Sequence, residues 1–115
     1  MIDPDGLLMI EPEGQATQEP LVDEITRKMT AAWRAARHSD YGYRGFHQCT
    51  CGATSDNKDH WILVNNQTLS TNSLAIHYLA FHRENISEAE LRKVASLTFG
   101  EEKPTIEELR LPRKS

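Results

Sequence analysis

Both cysteines of the chain, Cys49 and Cys51, fall between positions 47 and 82, together with four of its five histidines, His47, His60, His77 and His82. Thiolate sulfur and neutral imidazole nitrogen are the donors that suit zinc, a borderline-soft ion usually held in a tetrahedron. Cys49-Thr50-Cys51-Gly52 has the form of a zinc knuckle shortened by one residue. Two thiolates must reach one ion at about 2.3 Å, and a glycine after the second lets the backbone fold around it. His77 and His82 follow 25 residues after Cys51, so the pattern is Cys-x-Cys-x25-His-x4-His. Cys49, Cys51, His77 and His82 are therefore the expected ligands of Zn2+.

The histidine spacing carries a geometric demand. At about 100° per residue, positions five apart lie about 140° apart around an α-helix. His77 and His82 can meet one ion only if the helix tightens or ends near His82. Two alternates remain open. On a strand of period two, His47 would share a face with Cys49 and Cys51, and His60 opens an apolar run. The plainer readings are two buried reduced thiols and core histidines bonded to backbone carbonyls.

The elements that must position these groups can be read from periodicity. Pro20 suits the first turn of a helix. Val22, Ile25, Met29, Ala32, Trp33 and Ala36 then recur in a single apolar stripe. Asp23 and Glu24 in its first turn and Arg34, Arg37 and His38 in its last complement the helix dipole. Ser39-Asp40-Tyr41-Gly42 ends it. Strands are expected over 43–49, 61–64 and 67–69, with Asn65-Asn66 as the turn between the last two. A second helix is expected from Asn72 to Arg83, capped by Thr71 or Asn72. Its apolar residues wrap more than half of its circumference, which places it at the centre of the domain. Ser87-Glu88-Ala89-Glu90 is a capping box for a third helix closed by Gly100, with Ile86 and Leu91 as its hydrophobic staple. Thr105-Ile106-Glu107-Glu108 repeats the box before a last short helix. The fold class is α+β: a long N-terminal helix, a knuckle with a small antiparallel hairpin, a ligand-bearing helix and a C-terminal packing helix. Residues 1–19 read as a flexible acidic segment, 20–100 as one zinc-binding domain and 101–115 as a short C-terminal extension. Within the first segment Leu7-Leu8-Met9-Ile10 could dock as an edge strand or meet a partner.

The composition bounds the function. The chain has 115 residues, 38% of them apolar and 26% charged. That suits one domain with a thin core. Phe46, Trp61, Ile62, Leu74, Tyr78 and Phe81 would shield the metal, which would then act as a folding staple. One residue between two cysteines excludes an ordinary disulfide framework. No apolar run approaches a membrane span. Met1-Ile2-Asp3-Pro4-Asp5 has neither the basic nor the apolar part of a secretory signal. A soluble, reduced, cytoplasmic protein is expected. Residues 1–24 hold seven acids and no Lys or Arg, whereas Arg27, Lys28, Arg34, Arg37 and Arg44 face Asp40 alone over 25–47.

CTCG, the hairpin around Asn65-Asn66 and the ligand-bearing helix resemble the zinc-finger class, in its Cys2His2 or treble-clef arrangement. The stretch GFHQCTCGATSDNKDHWIL…TNSLAIHYLAFHR also resembles small uncharacterised bacterial zinc-binding domains. The likeness spans 43–97, and it implies a module that binds nucleic acid or protein.

Three functions compete. A non-enzymatic interaction or regulatory module needs only a closed four-ligand site, and its partner would be another protein or a second copy of the chain. Nucleic-acid binding would use Arg27, Lys28, Arg34, Arg37 and Arg44, with Tyr41 and Tyr43 stacking on bases. Against it stand the net charge of −4 and the lack of basic residues on the second helix before Arg83. A zinc hydrolase would need three protein ligands and a base such as Asp56 or Asp59, and neither the His-Glu-x-x-His nor the deaminase signature is present.

Overall fold

The computed structural model describes residues 6–8, 10, 12, 15–38, 49–55, 60–64 and 67–112. It is an α+β arrangement in chain order: helix α1 (Glu24–Ala35), strands β1 (Arg37–His38), β2 (His60–Val64) and β3 (Gln67–Thr71), helix α2 (Ala75–Phe81), a 3-10 turn (Arg83–Asn85), and helices α3 (Glu88–Ala95) and α4 (Ile106–Leu109). The three strands form one antiparallel sheet in the order β1-β2-β3.

The first helix is shorter than its apolar stripe predicts. It starts after Asp23, whose carboxylate accepts the N–H of Thr26 at 3.1 Å. Pro20 is left outside, because the N–H of Leu21 donates to the Ala80 carbonyl at 2.8 Å instead of entering a helix. At the far end Ala36 turns extended (ψ 151°). Arg37 and His38 then pair with Trp61 and His60 as β1 rather than closing the helix. The stripe itself holds: Met29 and Ala32 are fully buried, and Ile25, Trp33 and Ala36 pack against the core. The stop signal at 39–42, the strand expected over 43–48 and the turn at 65–66 lie outside the described residues. Cys49, the last residue of that expected strand, lies before a turn.

Asp23 does more than cap. Arg83 donates to both of its oxygens, at 2.9 and 2.6 Å. This fork ties the start of α1 to the end of the ligand helix. The hydrogen-bonded guanidinium holds the Asp23 carboxyl down at about 2, against an ordinary 3.8. A carboxyl lowered in the folded state stabilises fully above the unfolded value and ceases to do so as pH falls through the folded one. The stability gap between wild type and Asp23→Asn in urea titrations should therefore be constant above about pH 4 and shrink towards pH 2. At neutral pH, Asp23→Ala should cost about 1 kcal/mol for the cap alone.

β2 and β3 pair from His60↔Thr71 to Val64↔Gln67. Their inward residues, His60, Ile62, Leu69 and Thr71, are buried at period two. Before α2 the Asn72 side chain accepts the N–H of Leu74 at 2.7 Å. All seven residues of α2 are buried, as its wide apolar surface predicts. Ser87 caps α3 by accepting the N–H of Glu90. The Glu90 carboxylate, however, accepts the N–H of Leu8 at 2.7 Å and pairs with Lys93 at 2.8 Å. Ser96 is the C-cap of α3, so the helix stops short of Gly100. α4 has the full reciprocal capping box between Thr105 and Glu108.

The N-terminal segment takes the docked option. Gly6 bridges Ser70 in parallel, and the N–H of Leu7 donates to the Ser70 carbonyl at 2.7 Å. Leu7 and Leu8 are wholly buried, Leu8 with a positive φ of 56°. The N–H groups of Thr17 and Leu21 reach the carbonyls of Phe81 and Ala80, two groups that a helix C-terminus leaves without an internal partner.

Candidate metal centre

Cys49 and Cys51 sit on a tight turn. The N–H of Gly52 donates to the Cys49 carbonyl at 2.9 Å, and the N–H of Cys49 to the Ala53 carbonyl at 2.8 Å. Gly52 has φ 95°, a backbone conformation that disfavours any side chain. The glycine after the second cysteine is thus required by the turn that aims both sulfurs one way.

His77 comes from the middle of α2 and His82 from just beyond its end. His82 keeps its helical N–H bond to the Tyr78 carbonyl, but its backbone leaves the helix at φ −132°, ψ 35°. The 3-10 turn follows at once. This break is the local change that the five-residue spacing demands, and it brings the two imidazoles to 5.1 Å between ring centroids.

Cys49 Sγ lies 3.1 Å from His82 Nε2, and Cys51 Sγ lies 3.2 Å from His77 Nε2. The ligand atoms of all four residues fall within 4.8 Å of one another. All four side chains are buried, His77 completely. A tetrahedral ion with Zn–S of about 2.3 Å and Zn–N of about 2.0–2.1 Å sets its S and N donors about 3.5 Å apart. The two cross-pairs are within a few tenths of an ångström of that edge, so the donor set fits zinc in number, type and spacing. Ile62, Leu74, Tyr78 and Phe81 belong to the same buried cluster as the cysteines and keep water away. Trp61 is only half-buried, and Phe46 lies outside the described residues.

The electrostatics favour the ligand form of the histidines. Burial, followed by the nearby His82, lowers His77 from 6.5 to about 4. Burial lowers His82 as well. Both imidazoles are therefore neutral at pH 7, as metal ligation requires. Burial raises the Cys51 thiol, and the adjacent Cys49 adds to this. A dication would invert that preference, because a coordinating thiol is deprotonated outright. His77 Nδ1 faces the Leu109 carbonyl at 3.2 Å. A carbonyl can only accept, so the proton sits on Nδ1 and the Nε2 lone pair faces the sulfurs. No signal near His77 in the sequence points to Leu109. The short helix could be read from its capping box, but not the carbonyl it delivers.

His60 is buried on β2 but is not among the four converging donors; its ring lies tilted against Trp33 at 5.0 Å between centroids and near His38 at 6.0 Å. His47 lies outside the described residues, as do Asp56 and Asp59. The basic side chains of α1 meet groups of the chain's own C-terminal half. Arg27 pairs with Glu101 at 2.9 Å. Arg34 pairs with Glu102 and Glu108, both at 2.7 Å. Lys28 pairs with Glu24 and donates to the Ala95 carbonyl. Arg37 is exposed on β1, and Arg44, Tyr41 and Tyr43 lie outside the described residues. Among the described residues, no helix is long and apolar enough to cross a membrane.

Comparison with protein-family models, curated proteins and solved structures finds no match to this chain, so its likeness to zinc fingers rests on a buried Cys2His2 cluster placed to hold a metal ion.

Proposed function

We propose that the chain is a non-enzymatic module stapled by a structural zinc ion, acting through contact with another protein. One observation carries this reading: four buried donors, two sulfurs and two nitrogens, converge from a turn and a helix end within 4.8 Å. Four protein ligands complete a tetrahedron and leave no position for a substrate, which is the mark of structural rather than catalytic zinc. Leu7 and Leu8 are spent in the core and are not a contact surface. Ile106 and Leu111 in the C-terminal segment are exposed apolar side chains available to a partner. Nucleic acid has less support as the partner, because Arg27 and Arg34 already meet carboxylates and α2 is buried throughout.

Metal analysis of the purified protein should give one zinc per chain. Cys49→Ser and His77→Ala should each lower that stoichiometry and the melting temperature. Zinc near one per chain and unchanged melting in both variants would sink the reading. A salt titration against single- and double-stranded probes should show no binding even at low salt. Binding that weakens steeply with salt would favour the nucleic-acid alternative.

A further inference from the structure

The segment 101–112 touches the metal centre from both sides. Leu109 is buried, and its carbonyl holds His77 Nδ1. The next residue, Arg110, turns left-handed (φ 51°) and donates to the Thr54 carbonyl at 3.1 Å, just beyond the cysteine turn. The same segment is clamped on α1. Arg34 forks onto Glu108 through Nε at 2.9 Å and its terminal nitrogen at 2.7 Å. It reaches Glu102 with its other nitrogen and also meets the Lys103 carbonyl. Arg27 takes Glu101, and the N–H of Glu102 donates to the Arg27 carbonyl at 3.0 Å. α4 has only four residues, far too few to persist alone. Its place depends on this clamp and on the Thr105 cap that shares Glu108.

We propose that this strap is a positioning element of the metal centre: Arg34, through Glu108, holds the Leu109 carbonyl against His77 and so sets the affinity for the metal. The inference rests on the zinc reading above. The two histidines differ in a telling way. His77 is oriented by a carbonyl acceptor, whereas His82 Nδ1 is buried with no partner among the described residues. The strap therefore governs the imidazole whose Nδ1 has a partner among the described residues. Linkage makes the effect reciprocal: whatever tightens metal binding through the strap also tightens the strap on α1 when metal binds.

The test uses the full chain and Zn2+ alone, with affinity read by competition against a chromophoric chelator. Arg34→Ala and Glu108→Ala should each weaken zinc roughly 10–100-fold, the usual effect of losing a group that orients a ligand. Stoichiometry should stay at one, and the visible spectrum of the Co2+-loaded variants should shift with the altered ligand field. Arg92→Ala is the control, because Arg92 pairs with Glu88 on an exposed face, away from the strap. Unchanged zinc affinity in both strap variants, or an equal loss in the control, overturns the proposal. If the variants do not fold, the wild type still decides. A slowly exchanging Nδ1 proton on zinc-bound His77 in NMR is expected, and its absence overturns the proposal. A chain that binds no zinc defeats the metal reading and this inference together, whereas zinc binding indifferent to the strap defeats this inference alone.

Discussion

Removing zinc with a strong chelator at pH 7 is expected to unfold the protein, and restoring zinc to refold it. A structural zinc contributes on the order of 10–16 kcal/mol of apparent binding free energy. The net stability of a typical domain is about 5–15 kcal/mol, so on the zinc reading proposed above a bound ion would account for most or all of it. Without an ion the four donors would be left with the contacts of Cys49 to His82 and of Cys51 to His77, at 3.1 and 3.2 Å, which are far weaker than metal–ligand bonds. Circular dichroism on heating should show a cooperative transition with zinc and none, or a far lower one, without it. A metal-free melting temperature within a few degrees of the loaded one would contradict this. Acid should act in the same direction. In the metal-free fold burial holds His77 at about 4, while an exposed imidazole titrates near 6.5. The unfolded chain thus binds the proton first. Where a metal-free fold persists, its stability is complete above about pH 6.5 and drains away as pH falls towards 4.

Leu8→Ala should destabilise the zinc-loaded protein by about 2–5 kcal/mol, the range for truncating a buried leucine. Leu7→Ala should do the same. Both side chains are wholly buried, and they pack in the same cluster as Leu74, Leu79 and Val94. Deleting residues 1–8 removes both leucines together with the Leu7–Ser70 and Leu8–Glu90 hydrogen bonds. It also leaves a carboxylate with one partner fewer. That deletion should leave no cooperative transition in urea at neutral pH. A shift below about 1 kcal/mol in the leucine variants would mean that the segment is not part of the core.

The convergence of Cys49, Cys51, His77 and His82 was the most legible feature of the sequence, because the chemistry of such donors depends on residue type and short spacing. Even the break at His82 followed from helix geometry, since five residues cannot place two ligands on one face. What could not be read was set by distant partners. Pro20 looked like a helix start, but Asp23 wins because Arg83, far along the chain, forks onto it. Arg37 and His38 fit a last helical turn by charge. They form a strand because His60 and Trp61 offer backbone partners. Glu90 completed a capping box on paper, yet its carboxylate serves Leu8. The basic run over 25–47 suggested an anionic ligand. Two of its arginines are answered by Glu101, Glu102 and Glu108 of the same chain, which no local pattern announces.

The N–H groups of Thr17 and Leu21 on the last carbonyls of α2 bear on whether this centre could be transplanted. A zinc finger that folds by itself can be excised and strung with others. Here the turn of helix next to His82 is completed by hydrogen bonds from the other end of the polypeptide. Residues 49–97 carry all four candidate ligands but neither those N–H donors nor the Leu109 carbonyl. The motif is therefore not a portable cassette: grafted into a foreign scaffold without its flanks, it would bring the right atoms without the frame that holds them still.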